Sequence, residues 1–151
     1  MPTNLYGPGD NFDLTSSHVL PAMIRKFHDA KIGGGEAVTL WGSGTPRREF
    51  LYAEDVGRAV AFCLQNVHAA DVPDGLLNVG CGEDLTIREL AAIVQRVVGH
   101  EGPLVWDATR PDGTPRKLMD VSRITALGWK PEVGLEDGIR RAYDWFLAQR
   151  A

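Results

Sequence analysis

Only two cysteines occur in the 151 residues, Cys63 and Cys81, too few for a disulfide framework. Neither stands in a CxxC pattern or beside histidines at metal-ligand spacing, so no metal site is expected. Two free thiols in a reducing cytoplasm are the expected state. No apolar run approaches the ~20 residues needed to span a bilayer. The first residues lack a basic segment followed by an apolar stretch, so no signal peptide is expected and the location expected is cytoplasmic. Charge of one sign is not in large excess either: 16 Lys+Arg against 20 Asp+Glu leave a net charge of −4. That excludes bulk attraction to nucleic acid or anionic lipid and leaves any functional cation to act locally. No G-x-G-x-x-G follows a predicted strand, so the chain has no dinucleotide phosphate loop. Gly33-Gly34-Gly35 follows a helix, and Gly42-Ser43-Gly44 has the wrong spacing.

What remains is ordinary globular material, 44% apolar and 24% charged. Residues 1–17, with their Pro, Gly and Asn, read as coil. Val19, Met23 and Phe27 recur every four residues and predict a helix over 18–31, with Pro21 in its first turn. Ala37–Trp41 and Phe50–Leu51 predict short strands. A helix over 54–67 presents Val56, Ala59, Val60, Cys63, Leu64 and Val67 on one face. Leu76–Val79 predicts a buried strand. Thr86-Ile87-Arg88-Glu89 has the form of a capping box, ahead of an apolar face at Leu90, Ile93, Val94, Val97 and Val98 and a stop at Gly99. Leu104–Trp106 predicts a third strand, 107–117 a loop, and 135–148 the last helix. The alternation of strands and helices makes the class α/β.

Four segments carry a resemblance: Pro2-Thr3-Asn4-Leu5-Tyr6-Gly7-Pro8, Ser17-His18-Val19-Leu20-Pro21, Trp41-Gly42-Ser43-Gly44-Thr45-Pro46-Arg47-Arg48-Glu49-Phe50 and Arg110-Pro111-Asp112-Gly113-Thr114-Pro115-Arg116-Lys117. Together they resemble the GDP-L-fucose synthases, a family of extended short-chain dehydrogenases/reductases. The family's Gly-rich NADP loop, catalytic Ser and Tyr-x-x-x-Lys pair have no counterpart here. The resemblance therefore implies that residues 1–151 are the C-terminal, substrate-binding part, an α/β unit with a minority of the Rossmann sheet and with the N-terminal NADP-binding half absent. On that reading the chain alone catalyses no hydride transfer, and it associates with its missing half or with copies of itself as a homo-oligomer. The helix face at 87–98 and the strand at 76–79 are expected to be bared without that half.

The family's reaction converts GDP-4-keto-6-deoxy-D-mannose to GDP-L-fucose by 3,5-epimerisation and NADPH-dependent 4-reduction. It needs a proton acid, an anion grip and contacts to NADP. The resemblance assigns the acid to His18, since imidazole both gives and takes protons near neutral pH. Read from the residues alone, a histidine packed at a helix N-terminus is the rival. His28, His68 and His100 are expected at the surface. The resemblance assigns substrate anions to Arg48 and Lys26, with a solvated Arg47 beside Arg48 and an exposed helix lysine as the rival reading of Lys26. Trp41 either covers the substrate or packs in the core. Asp112 either accepts a substrate hydrogen bond or only forms its turn. The resemblance places Pro2, Thr3, Asn4 and Leu5, with His18, along NADP, and leaves Asn4 open to the substrate diphosphate as well as to the cofactor. Glu54 and Asp55 suit a helix N-terminus for electrostatic reasons alone. Another sugar-nucleotide epimerase or dehydratase, and a stand-alone nucleotide-sugar-binding module, are the alternatives.

Overall fold

A computed structural model describes residues 1–150. Its four long helices lie within a residue of the expected spans: α1 (Val19–Ile32), α2 (Ala53–Asn66), α3 (Ile87–Val98) and α5 (Leu135–Ala148). Their ends follow local chemistry. Thr86 and Glu89 close the capping box of α3, and Gly99 stops it in the left-handed conformation, φ 72°. Pro21 sits in the first turn of α1, where its missing N–H costs nothing.

Helix α3 is the centre of the larger core. It packs on α1 and α5 through Leu90, Ala91, Val94 and Val98, facing Ile24 and Phe27 from α1 and Ile139 and Phe146 from α5. Each of these side chains except Ala91 contributes about 1.5–3 kcal/mol by leaving water. The 87–98 face is therefore buried within the chain, contrary to the expectation that it is bared. The uncovered face belongs to α2, where Val60 is 54% and Leu64 83% exposed. The opposite side of α2 closes a second cluster with Leu51, Ile124 and Trp129. Ile124 comes from a short helix, α4 (Ser122–Ala126), which has no expected counterpart.

The strands are short and joined across long sequence gaps. β1 (Asn4–Tyr6) pairs in parallel with β4 (Phe50–Tyr52), and β2 (Val38–Trp41) in parallel with β6 (Leu104–Asp107). A third sheet has β3 (Arg47–Arg48) at its centre, antiparallel to β5 (Leu85–Thr86) and parallel to β7 (Arg116–Lys117). Residues 4–6 are thus a strand where coil is expected. Residues 76–79 are not a strand: only Val79 joins Pro2, in an isolated parallel bridge, and Leu76 is exposed. Pro2 has no N–H with which to extend that ladder.

Two histidines expected at the surface are buried. His100 shares hydrogen bonds with the Glu36 carbonyl (2.8 Å) and the Gln95 amide (3.3 Å). His28 sits between α1 and α5, its Nδ1 3.0 Å from the Tyr143 hydroxyl and its ring edge-on to Phe146. Burial holds its imidazole below the usual pKa; Arg150 lowers it further and Asp29 opposes. The folded chain therefore binds fewer protons at His28 than the unfolded chain, so the full stability is present above a pH of about 6.5 and falls as the pH drops below it. Urea unfolding at pH values between about 7 and about 5 is expected to show this loss. His28→Gln is expected to flatten the profile; a variant profile as steep as that of the parent chain removes His28 as its source.

Candidate functional site

Three adjoining depressions line one side of the molecule. The first, about 550 Å³, lies between Thr3–Asp10 and the start of α1 at His18–Pro21. The second, about 190 Å³, is enclosed by Trp41, Gly44, Pro46, Arg48, Ile87 and Pro111–Gly113. Val19 borders both. The third, about 400 Å³, lies beyond Pro2–Asn4 against Lys117–Met119, and shares Thr3 and Asn4 with the first. Eight of the nine residues singled out by resemblance line these depressions; the ninth, Lys26, lines none of them and reaches only the Trp41 ring of their walls.

His18 is the N-cap residue of α1, with extended backbone and no side-chain cap. Its carbonyl takes the first helical hydrogen bond, from the Ala22 N–H at 3.0 Å. The imidazole is exposed at the edge of the first cavity and hydrogen-bonds no described residue. Two turns on, Lys26 donates to the Thr39 carbonyl (3.1 Å) with its ammonium 5.7 Å from the Trp41 ring centre. Partial burial lowers the Lys26 pKa.

Trp41 is 65% exposed, which removes core packing as its role. Alternation along β2 explains this: Val38 and Leu40 point inward, Thr39 and Trp41 outward. The Arg110 guanidinium lies 5.0 Å from the indole centre, so two cations flank one aromatic surface. Arg48 donates to the Arg47 carbonyl (2.7 Å) and makes no ion pair among the described residues. A guanidinium in a cavity with no carboxylate against it is available to an anion. Arg47, expected to be solvated, instead pairs with Asp84 at 2.8 Å.

Asp112 fastens the 107–117 loop to the turn after β2. Its oxygens accept from the Ser43 N–H (2.9 Å) and the Ser43 hydroxyl (2.6 Å), and these bonds hold its carboxyl below the usual range. Gly42 has φ +78° and no room for a Cβ, since Asp112 Oδ1 occupies that space. Asp112 thus shapes the second cavity, with both carboxylate oxygens engaged.

Along the first cavity, the Asn4 amide and the Thr3 hydroxyl donate to the Glu49 carbonyl at 2.7 and 3.4 Å. Pro2 and Leu5 are exposed. Glu49 itself is fully buried and ties two further segments. Its carboxylate accepts from the N–H groups of Gly82 (2.7 Å) and Met119 (3.1 Å), and its N–H donates to the Lys117 carbonyl (3.3 Å). Glu49 and Arg110 have no expected site role. The side-chain partners of Glu49, and the Trp41 ring that Arg110 covers, lie 30 to 70 residues away, so local pattern holds no signal for those contacts.

Residues 1–80 match the model of the NAD dependent epimerase/dehydratase family. The chain belongs to that family. It is 54% identical over 147 residues to GDP-L-fucose synthase 1 of Arabidopsis thaliana, covering 97% of this chain and 44% of that protein. The chain thus spans less than half the length of this curated relative. Among solved structures, a GDP-6-OMe-4-keto-L-xylo-heptose reductase from Campylobacter jejuni superposes with a TM-score of 0.89 at 36% identity, over 98% of this chain and 53% of that one. A GDP-L-fucose synthetase from Naegleria fowleri bound to NADP gives 0.85 at 27% identity, over 99% and 46%. The α/β class and the extended short-chain dehydrogenase/reductase kinship expected from the sequence hold.

Proposed function

We propose that residues 1–151 form the substrate-binding domain of a GDP-L-fucose synthase. Arg48 carries this reading: it is an uncompensated guanidinium in a cavity walled by an exposed tryptophan with two cations against it. A nucleoside diphosphate needs such a pairing, a flat surface for its base and fixed positive charge for its phosphates. The base lies on Trp41, the diphosphate against Arg48 and Lys26, and the sugar crosses Val19 toward His18. Asp112 keeps this cavity in shape and lies within reach of the ligand.

NADP, when bound, supplies the hydride that reduces C4. Pro2–Leu5 fit a place beside it: the segment is extended, and the Asn4 and Thr3 side chains are drawn back onto Glu49. A flat ring can then approach closely. His18 holds or moves the proton of the epimerised carbon. The phosphate-binding half of the enzyme covers the bare α2 face, and the assembled protein is a homo-oligomer of the cytoplasm. Similarity to a heptose reductase leaves the sugar open to a second GDP-sugar substrate, because the nucleotide contacts are common to both readings.

Calorimetric titration of the chain with GDP tests the site. Binding is expected, and Arg48→Met is expected to weaken it at least ~30-fold, since removing one partner of a desolvated charge pair costs about 2–5 kcal/mol. Absence of GDP binding by the chain, or an Arg48→Met variant that binds like the parent, sinks the reading of this cavity.

A further inference from the structure

We propose that Asp84 is a positioning residue for the anion site, holding Arg48 in place from the opposite face of its strand. The inference rests on the reading of Arg48 as the phosphate contact.

β3 and β7 are two residues long, and strands this short are weak on their own. In their register Arg47 faces Arg116 and Arg48 faces Lys117. Paired positions share a face of a sheet, and neighbouring positions take opposite faces. Arg47 and Arg116 therefore stand together on one face, two like charges side by side. Asp84 lies between them. Its Oδ1 accepts from Arg47 Nε at 2.8 Å and its Oδ2 from Arg116 Nε, while its main-chain carbonyl accepts from Arg47 Nη2 at 2.8 Å. The Asp84 side chain is only 4% exposed, against 41% and 60% for the two arginines.

One carboxylate thus fixes both strands and β5, whose first residue follows it in the chain. It also pairs with both cations that do not face the ligand. Arg48 remains the guanidinium on β3 without a carboxylate. Had Arg47 or Arg116 been free, either could draw the anion to the wrong face or push β7 off β3. With β7 displaced, the loop carrying Asp112 and Gly113 over Arg48 loses its far anchor, because Lys117 ends that loop.

The two ways Asp84 can act on an anion site have opposite signs. Acting only by charge, a nearby carboxylate weakens binding of GDP, so Asp84→Asn tightens it. Acting as a positioning group, Asp84 strengthens binding, so Asp84→Asn weakens it. An amide offers one acceptor oxygen where two arginines need two, and hydrogen bonds to charged groups are the stronger ones. We expect a GDP dissociation constant raised on the order of tenfold or more, with partial rescue by Asp84→Glu. Amide hydrogen exchange in the same variant, without ligand, is expected to accelerate at residues 47–48 and 116–117 while the α1 and α3 amides keep their protection. Unchanged or tighter GDP binding by Asp84→Asn overturns the proposal, as does unchanged exchange in those strands. If the parent chain binds no GDP, the reading of the cavity fails instead, and the exchange measurement alone decides whether Asp84 holds Arg48's strand.

Discussion

Replacing His18 by Gln in the chain joined to its nucleotide-binding half is expected to reduce epimerisation about 10²–10⁴-fold, the usual contribution of a general acid or base. Reduction at C4 is expected to continue. Glutamine keeps the size and hydrogen bonding of the side chain but does not titrate. The position suits the role. The backbone of His18 is fixed by the first bond of α1, while the imidazole hydrogen-bonds no described residue and faces a cavity that also reaches Asn4. A histidine held for structure would have a partner, as His28 and His100 do. The measurement is solvent deuterium incorporation at C3 and C5, with product stereochemistry. Output of L-fucose configuration near that of the parent enzyme removes His18 from the mechanism, whatever the effect on stability.

The helices were legible because their signals are local. The Thr86–Glu89 box, Gly99 and the four-residue recurrence of Val19, Met23 and Phe27 each act within two turns. The sheets were not legible to the same degree. β3, β5 and β7 have two residues each, too few for any period, and exist because segments 30 to 70 residues apart meet at Arg47 and Arg48. The apolar run at 76–79 reads as a strand for the opposite reason: its composition is right, but the residue it meets in its one bridge is Pro2, which has no N–H to give. The same divide runs through the site. The residues proposed for the site, His18, Arg48 and Trp41, stand out in the sequence as types in a pattern. The groups that hold them, Asp84, Glu49 and Arg110, become visible only when distant segments are brought together. A solvated Arg47 is the natural reading of an arginine beside one proposed to bind an anion, and only Asp84 overturns it.

Asp55 carries the same lesson into stability, and Asp55→Ala is expected to cost about 2–5 kcal/mol, from two part-buried backbone donors left without a partner at about 1–3 kcal/mol each. From sequence, its place at the start of a helix suggests a modest favourable term with the dipole, about 0.3–1 kcal/mol. The structure asks much more of it. The carboxylate is fully buried and accepts from the N–H groups of Glu132 (3.2 Å) and Val133 (3.1 Å) as well as from Arg58 (2.8 Å). It thereby ties α2 to the segment that leads into α5, where the Leu135 carbonyl takes the Tyr6 hydroxyl at 3.2 Å. Alanine leaves two backbone donors without partners, and Arg58, part-exposed and also near Glu132, turns to water. Against a total stability of about 5–15 kcal/mol for a domain, such a loss is a large fraction of the whole. Urea denaturation at neutral pH measures it. Asp55→Asn, which keeps one acceptor oxygen, is expected to recover part of the loss. A loss below about 1 kcal/mol for Asp55→Ala would mean that the dipole effect is all Asp55 contributes.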